Sequence, residues 1–173
     1  MKVILYASMS VNGFIAREND KEDFLSDENW FSFQKLAEGA GCFCVGRRAY
    51  EVVKEKYKSG YNFDTLKAKP IVLSKSPKKI KYDVVVSPHD AIKKAKSLGS
   101  KSLVVAGGGK TNASFMKSGL VDEVVLNLEP FVLGKGVRVF DDENFENKLK
   151  LLKMKKLKSG IIQLHYKLGS RKE

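Results

Sequence analysis

A short apolar segment of the chain stops at three consecutive glycines, and this feature constrains the fold more than any other. Residues 102–106 read Ser-Leu-Val-Val-Ala, and Gly107, Gly108 and Gly109 follow them directly. Helix-compatible residues continue over 111–117, so the pattern predicts a buried strand, a tight turn of bare backbone and a helix N-terminus. Backbone N–H groups at such a turn, together with the helix dipole, favour an anionic ligand, most often a phosphate.

The turn differs from two well-known phosphate motifs. Gly109-Lys110-Thr111 is similar to the end of a P-loop, but Val104 stands where that motif needs a glycine. A dinucleotide-binding fingerprint needs its third glycine where Asn112 stands. A strand-to-helix turn without a ligand is the alternative interpretation, although an ordinary turn rarely needs three glycines.

Length and composition predict one globular domain over residues 1–173. Hydrophobic residues make up 43% of the chain and charged residues 30%, which is enough for a real core. No apolar run is long enough for a membrane span, and the N-terminus does not read as a leader segment. Cys42 and Cys44 have no histidine nearby, so we expect buried thiols rather than a metal site, in a cytoplasmic protein.

The formal net charge of +12 raises nucleic acid as a partner. The excess is concentrated after residue 147, where lysines are interleaved with apolar residues. That pattern is typical of the solvated face of a terminal hairpin, and lysines on an edge strand also discourage aggregation. The pattern therefore favours the attraction of anionic small molecules over a nucleic-acid partner.

The rest of the chain alternates strand-like and helix-like segments. The predicted strands are residues 2–8, 42–45, 70–74, 82–86, 102–106, 122–128 and 137–140, and a hairpin at 148–157 and 161–168 turns at Ser159-Gly160. The predicted helices are residues 27–38 with Ser26 as the cap, 47–57, 88–98 and 111–117, and residues 58–69 are interpreted as a polar loop.

This alternation predicts an α/β fold. Apolar strands separated by helices favour three layers, α/β/α, with a mixed, mostly parallel central sheet and a C-terminal antiparallel hairpin. In such sheets, ligands bind beyond the carboxyl ends of the strands. The predicted ends here carry small, hydroxyl or basic residues, which suit a phosphorylated ligand.

Four segments, in this order and spacing, resemble the dihydrofolate-reductase-like superfamily, specifically its riboflavin-biosynthesis reductase branch (the C-terminal domain of the bifunctional deaminase-reductase). They are ASMSVNGFIA (7–16), VGRRAYE (45–51), VAGGG (105–109) and GLVDE (119–123), which continues to PFVLGKG (130–136). The resemblance covers about residues 2–168. It implies the dihydrofolate-reductase-like fold and an NADPH-dependent reductase of a pyrimidine- or pterin-type substrate. In the riboflavin branch, the ribosyl side chain of an aminopyrimidine phosphate is reduced to ribityl.

The resemblance also implies which residues contact NADPH. They are Ala7 and Ser8 at the nicotinamide, Gly46, Arg47 and Arg48 at the phosphates, Ser74 and Lys75 at the adenosine 2′-phosphate, and Gly107, Gly108, Gly109 and Lys110 at the pyrophosphate. A helix N-terminus flanked by guanidinium groups is a favourable anion site on physical grounds as well.

On the substrate side, the resemblance implies contacts from Asn12, Asp27 and Trp30. The family usually has Asp where Asn12 stands and Thr where Ala49 stands, so this chain departs from the pattern there. Folate-type enzymes place a carboxylate on the helix after the first strand, where Asp27 or Glu28 lies, although acids at a helix start also complement its dipole. No residue is singled out as the catalytic acid.

Two other interpretations stay open. One is dihydrofolate reductase itself, and the other is a nucleotide- or nucleic-acid-binding module without chemistry. The resemblance further implies a homodimer, and Phe131, Val132 and Leu133 are the apolar residues expected to be exposed for it.

Overall fold

The structure, a computed structural model, describes residues 1–55 and 61–169. Its strands are β1 (Lys2–Ser10), β2 (Phe14–Ala16), β3 (Cys42–Gly46), β4 (Lys69–Leu73), β5 (Asp83–Val85), β6 (Ser102–Val105), β7 (Glu123–Glu129), β8 (Val137–Arg138), β9 (Leu149–Lys156) and β10 (Ile162–Leu168). Its α-helices are α1 (Asp27–Ala40), α2 (Arg47–Glu55), α3 (Pro88–Ser97) and α4 (Gly109–Lys117).

Eight of these strands form one central sheet in the order β5-β4-β3-β6-β1-β7-β10-β9. Strand β1 is central and pairs in parallel with both β6 and β7. Strand β10 runs antiparallel to β7 and to the edge strand β9, and so adds the C-terminal hairpin to the parallel part. The predicted mixed, mostly parallel sheet with a terminal hairpin is therefore confirmed.

Helices cover both faces of the sheet, because its central strands are apolar on both sides. Along β6, Leu103 and Val105 join the cluster that contains α3 and α4, whereas Val104 joins the cluster that contains α1 and α2. Successive strand side chains point to opposite faces, so a continuous apolar strand supplies two cores at once. The result is the expected three-layer α/β/α architecture.

The predicted polar loop at 58–69 is wrong in its described part. Phe63, Leu66 and Ala68 are buried, with at most 9% of each residue exposed. Phe63 packs against Trp30 and Phe43, at ring-centroid distances of 6.1 and 5.0 Å. Polar neighbours in the sequence hide these residues, because an isolated aromatic carries no periodic signal. Residues 56–57 at the end of the predicted second helix lie outside the described residues.

The first predicted loop also contains structure. Strand β2 follows β1 and pairs with β8 in a separate two-stranded sheet. The strand predicted at 137–140 is therefore shorter than expected and belongs to this small sheet. Leu133 was expected to be exposed, but it is only 6% exposed and packs with Phe14 and Phe24.

The N-terminus of α1 differs from the expectation as well. Ser26 occupies the N-cap position, but its side chain makes no capping hydrogen bond.

The longest helix in the described part of the chain, α1, has 14 residues. No helix there reaches the length that a bilayer-spanning helix needs.

A charged junction ties the N-terminal strand to the C-terminal one. Glu123 at the start of β7 pairs with Lys2 Nζ at 2.6 Å and with His165 Nε2 at 2.7 Å. Burial opposes ionisation of Glu123, but the hydrogen bonds from Lys2 and His165 outweigh it and hold the pKa of this carboxyl below its usual value. The ionised carboxylate thus stabilises the contacts among β1, β7 and β10.

Because this pKa is lower in the folded chain than in the unfolded chain, the stabilisation is present above the usual carboxyl pKa of 4.5 and is lost as the pH falls through the folded value. We expect Glu123→Gln to reduce the free energy of unfolding by about 1–2 kcal/mol at neutral pH. The deficit should shrink as the pH falls below 4.5. Urea denaturation across pH measures it, with exposed Glu146→Gln as the charge-matched control. A deficit that is independent of pH would contradict the prediction.

Candidate active site

A cavity of about 440 Å³ opens where β1, β3 and β6 end. Tyr6, Ala7 and Ser8 of β1 line one wall, and Gly107 and Gly108 after β6 line another. Residues of helices α1 and α2, and of the segment between β2 and α1, complete the lining. The carboxyl ends of parallel strands meet at this edge, which is where ligands bind in α/β sheets.

The three-glycine turn meets the cavity with bare backbone. Gly107 has a φ of +83°, and its peptide bond to Gly108 is cis. A Cβ atom placed on Gly107 or Gly108 would meet nothing within 4 Å, so both residues border open space. Helix α4 begins immediately afterwards, and no side chain caps its N-terminus at Gly108. The first amides of α4 are therefore available to an acceptor, as they are at anion sites.

Asn112, in the first turns of α4, adds an unsatisfied acceptor to the same wall. Its side chain is buried, and Nδ2 donates to the Val139 carbonyl at 2.9 Å. This hydrogen bond fixes the amide orientation, and Oδ1 is left buried without a partner within the described residues. A buried acceptor without a donor costs free energy, so a donor from a bound ligand fits here. In the sequence, Asn112 only showed that the turn lacks the third glycine of a dinucleotide-binding fingerprint. No pattern in the sequence indicated that Asn112 itself is a site residue.

Gly46 holds the end of β3 against the turn. Its N–H donates to the Gly107 carbonyl at 2.7 Å. A Cβ on Gly46 would lie 2.3 Å from Thr111 Oγ1, so only glycine allows α4 to come this close. Gly109 likewise starts α4 at a close contact, since a Cβ there would lie 2.4 Å from the Arg138 carbonyl oxygen.

The two arginines expected at the phosphates lie beside the cavity, at the start of α2. Arg47 donates to the carbonyls of Ser76 at 2.9 Å and Lys78 at 3.1 Å, and it pairs with Glu51 at 2.9 Å. Arg48 pairs with Asp20 at 2.5 Å. Both border a second, more polar depression next to the main cavity.

The residues expected at the 2′-phosphate lie in the loop that Arg47 holds. Ser74 Oγ donates to the Ser76 carbonyl at 2.8 Å, and the side chain of Lys75 is exposed. The structure thus places Arg47 against the segment that directly follows Ser74 and Lys75. Lys110 is also exposed, in the first turn of α4.

The three residues expected at the substrate do not lie together in the structure. Trp30 lines the cavity and stacks on Phe63 at a centroid distance of 6.1 Å. Asn12 lies elsewhere and braces a loop, because Nδ2 donates to the Leu133 carbonyl at 2.6 Å. Asp27 is exposed and accepts a hydrogen bond from the Tyr61 hydroxyl, which raises the pKa of Tyr61 to about 12. The structure therefore does not place Asp27 or Asn12 on the cavity wall.

Sequence reasoning missed the polar groups behind the β1 wall. The Tyr6 hydroxyl lies within hydrogen-bonding distance of Asn29 Oδ1, at 2.9 Å, and accepts from Asn127 Nδ2 at 3.1 Å. Burial raises the pKa of Tyr6, so this hydroxyl stays neutral at ordinary pH. Ser8 Oγ donates to Glu129 Oε1 at 2.9 Å. These residues come from distant parts of the chain, and no local pattern connects them.

The sheet order, together with the cavity at the strand ends, defines an α/β domain of the dihydrofolate-reductase-like type. The profile of the RibD C-terminal domain matches residues 1–163. The chain therefore belongs to the RibD C-terminal domain family, and the resemblance found in its sequence is confirmed.

Several proteins are similar to the chain over nearly its whole length. The Bacillus subtilis (strain 168) protein YwjB, itself uncharacterised, is 27% identical over 172 residues, which make up 95% of this chain and 97% of YwjB. The crystal structure of a pyrimidine reductase-like protein from Corynebacterium diphtheriae is similar with a TM-score of 0.76 at 15% identity, over 98% of this chain and 92% of the other.

A bifunctional enzyme contains the same fold as one part. The diaminohydroxyphosphoribosylaminopyrimidine deaminase/5-amino-6-(5-phosphoribosylamino)uracil reductase of Thermotoga maritima is similar with a TM-score of 0.67 at 15% identity. The match covers 97% of this chain and 56% of that one. At this identity the likeness shows the fold, which is shared with proteins of riboflavin biosynthesis.

Gly46→Ala should lower the free energy of unfolding by about 1–3 kcal/mol, because its methyl group meets Thr111 Oγ1 in a packed site. Removing that hydroxyl in a Gly46→Ala/Thr111→Ala double variant should recover part of the loss. Thr111→Val keeps the branched shape, so the corresponding double variant should recover less. Chemical denaturation of the set tests this, and a Gly46→Ala variant as stable as the parent would contradict it.

Proposed function

We propose that the chain is a single-domain NADPH-dependent reductase of a pyrimidine-type substrate, of the 5-amino-6-(5-phosphoribosylamino)uracil reductase kind. The observation that carries the proposal is the uncapped N-terminus of α4, preceded by Gly107 and Gly108 and followed by the unpartnered oxygen of Asn112. Membership of the RibD C-terminal domain family and the shared fold support the reductase assignment.

The residues on the cavity wall fit a dinucleotide. The backbone of Gly107 and Gly108 and the first amides of α4 would hold the pyrophosphate, because they present N–H groups with no side chain in the way. Asn112 Oδ1 would accept a hydrogen bond from the ligand. NADPH held there would supply a hydride, and with a proton from water the ribosyl group of the substrate would be reduced to ribityl.

The protein itself would orient the cofactor and the substrate and exclude water from the cavity. Ala7 and Ser8, in the C-terminal half of β1, would border the nicotinamide, and the aromatic wall of Trp30 and Phe33 would border the planar substrate ring. Binding both molecules in one cavity turns a bimolecular step into a positioned one. Apolar walls also lower the dielectric around the transferred hydride.

We propose that the loop after β4, which contains Ser74 and Lys75 and is held by Arg47, makes the chain prefer NADPH over NADH. Arg47 already donates to two carbonyls of the segment that follows Ser74 and Lys75, so it fixes that loop beside α2. A 2′-phosphate there would meet a guanidinium, an ammonium and a hydroxyl, which are the groups that bind phosphate monoesters. The net charge of +12 would raise the local concentration of both anionic ligands.

Thermal denaturation with NADPH, NADH and buffer tests the cofactor. We expect NADPH to raise the melting temperature more than NADH, since a ligand that binds only the folded chain stabilises it. Gly108→Leu should abolish the shift, because its side chain projects into the space left by the glycine.

Gly134→Leu is the matched control, since a Cβ on Gly134 also meets nothing within 4 Å but lies away from the cavity. An NADPH shift of equal size in both variants would contradict the proposed site. Oxidation of NADPH with ribosylaminopyrimidine phosphates, and with dihydrofolate as the comparison, then tests the substrate.

We further propose that the homodimer forms through the outer part of the sheet. On one face of the C-terminal hairpin, Leu149, Leu151 and Met154 of β9 are 38%, 50% and 65% exposed. Their cross-strand partners are Leu168, Tyr166 and Leu164 of β10, so the patch is continuous across both strands. The lysines opposite His165, Gln163 and Lys167 lie on the other face. An apolar face bounded by charge is self-complementary across a two-fold axis.

Leu151→Asp/Met154→Asp should convert the dimer to a monomer, because both charges would be buried between copies. Light scattering after size exclusion measures the mass. Phe131→Asp/Val132→Asp provides the comparison at another exposed apolar site. A parent chain that is already monomeric, or a dimer that persists in the hairpin variant, would contradict this interface.

A further inference from the structure

A buried carboxylate lies directly behind two serines of the cavity wall. Glu129 is the last residue of β7, is 2% exposed, and pairs in register with Ser10 of β1. Its Oε1 accepts hydrogen bonds from Ser8 Oγ at 2.9 Å, Ser26 Oγ at 3.3 Å and Ser26 N at 3.4 Å. Ser8 and Ser26 line the cavity, whereas Glu129 lies one layer deeper.

The arrangement is unusual for both partners. A buried carboxylate is costly unless it is well hydrogen-bonded, and this one is held by two hydroxyls and one amide. Ser26 stands where a helix cap is expected but directs its hydroxyl to Glu129 instead of to the backbone of α1. Three donors from two distant segments therefore converge on a single oxygen.

The convergence fixes the direction of both hydroxyl groups. A serine hydroxyl has one proton to donate and two lone pairs to accept with. Both hydroxyls donate to Glu129 Oε1, so the protons of Ser8 and Ser26 are both directed away from the cavity to this carboxyl group. The two serine oxygens therefore have only their lone pairs available for hydrogen bonds with a ligand in the cavity. This part of the wall accepts hydrogen bonds and has no hydroxyl proton to offer.

We propose that Ser8 and Ser26, oriented by Glu129, form an acceptor pair that selects adjacent N–H groups on a planar ligand. The proposal rests on the proposed function and specifies which chemistry the cavity recognises. Trp30 and Phe33 line the same cavity and supply aromatic surface against which a flat ring packs. Glu129 is a positioning residue, since it contacts the serines rather than the ligand.

Two ligands of the proposed reaction carry such N–H groups. An aminopyrimidine presents the two N–H groups of an exocyclic amino group, and the nicotinamide of NADPH presents those of its carboxamide. The shared chemistry is an N–H₂ group attached to a planar ring. The experiment is arranged so that the two sources give different results.

The test uses the full chain and two probes of similar shape. 2,4-Diaminopyrimidine carries N–H donors, whereas 2,4-dimethoxypyrimidine carries none. Trp30 is the single tryptophan of the chain and lines the cavity, so quenching of its fluorescence reports binding directly. We expect the parent to bind the diamino probe at least about tenfold more tightly than the dimethoxy probe.

Glu129→Gln is the decisive variant. A glutamine keeps the shape but brings an N–H₂ group that donates, so the serine hydroxyls are no longer both held as acceptors. The preference for the diamino probe should fall by about tenfold, while affinity for the dimethoxy probe should stay within about twofold. Ser8→Ala should act in the same direction. Exposed Glu146→Gln and Ser97→Ala are the charge-matched and hydroxyl-matched controls and should change neither affinity.

A purely structural role for Glu129 predicts a different result. If Glu129→Gln only loosens the cavity, the affinities for both probes, for NADPH and for its acetyl analogue all fall together and both ratios are unchanged, which would overturn the proposal. A parent chain that prefers neither the diamino probe over the dimethoxy probe nor NADPH over its acetyl analogue would also overturn it.

Titration with NADPH identifies the source of the N–H groups. If the serines contact the carboxamide, Glu129→Gln weakens NADPH more than the analogue in which an acetyl group replaces the carboxamide, and the pyrimidine ratio is unchanged in the parent and the variant. That outcome supports the acceptor pair and assigns it to the cofactor. A parent that selects the diamino probe but binds no NADPH would retain the acceptor pair and overturn the proposed function, so the two failures are distinguishable.

Discussion

The geometry of the site depends on a contact between backbone atoms. Gly46 N–H donates to the Gly107 carbonyl at 2.7 Å, and one residue earlier Ala106 N–H donates to the Cys44 carbonyl at 2.9 Å. These bonds continue the β3–β6 ladder beyond the strands and into the glycine turn. Because Gly46 has no Cβ, α4 can lie against the end of β3, and its N-terminus is thereby directed at the cavity. A side chain at Gly46 would separate the elements that the site needs together.

The cavity is chemically different at its two ends. At one end, the turn and the start of α4 offer N–H groups and the positive end of a helix dipole. At the other end, Ser8 and Ser26 are bound to a carboxylate, and they present acceptors. An elongated ligand with an anionic group at one end and N–H groups at the other matches this polarity. A dinucleotide and a heterocycle bound side by side have the same overall pattern.

The fold could be predicted from the sequence to a large extent, because the central strands are continuous apolar runs with clear stops. Strand β2 and the buried Phe63 could not be predicted, since a three-residue strand and an isolated aromatic carry no periodicity. In the site, the glycines were visible because their spacing is local. Glu129, Ser26 and Tyr6 were not recognised, because their roles depend on side-chain contacts across more than a hundred residues, as in the Ser8–Glu129 bond. Asp27 shows the reverse case, since the family resemblance pointed to a residue that is exposed and hydrogen-bonded to Tyr61.

The central position of β1 has a consequence for how the chain folds. Its partners are residues 102–105 and 123–129, so β1, which precedes the other described strands along the chain, is completed in the sheet only after both partners have been made. Contacts this distant in sequence slow folding, because the chain loses the entropy of loop closure before strand pairing stabilises it. Strand β1 therefore stays unpaired until its partner strands have been synthesised. An unpaired apolar strand is prone to aggregation and to chaperone binding.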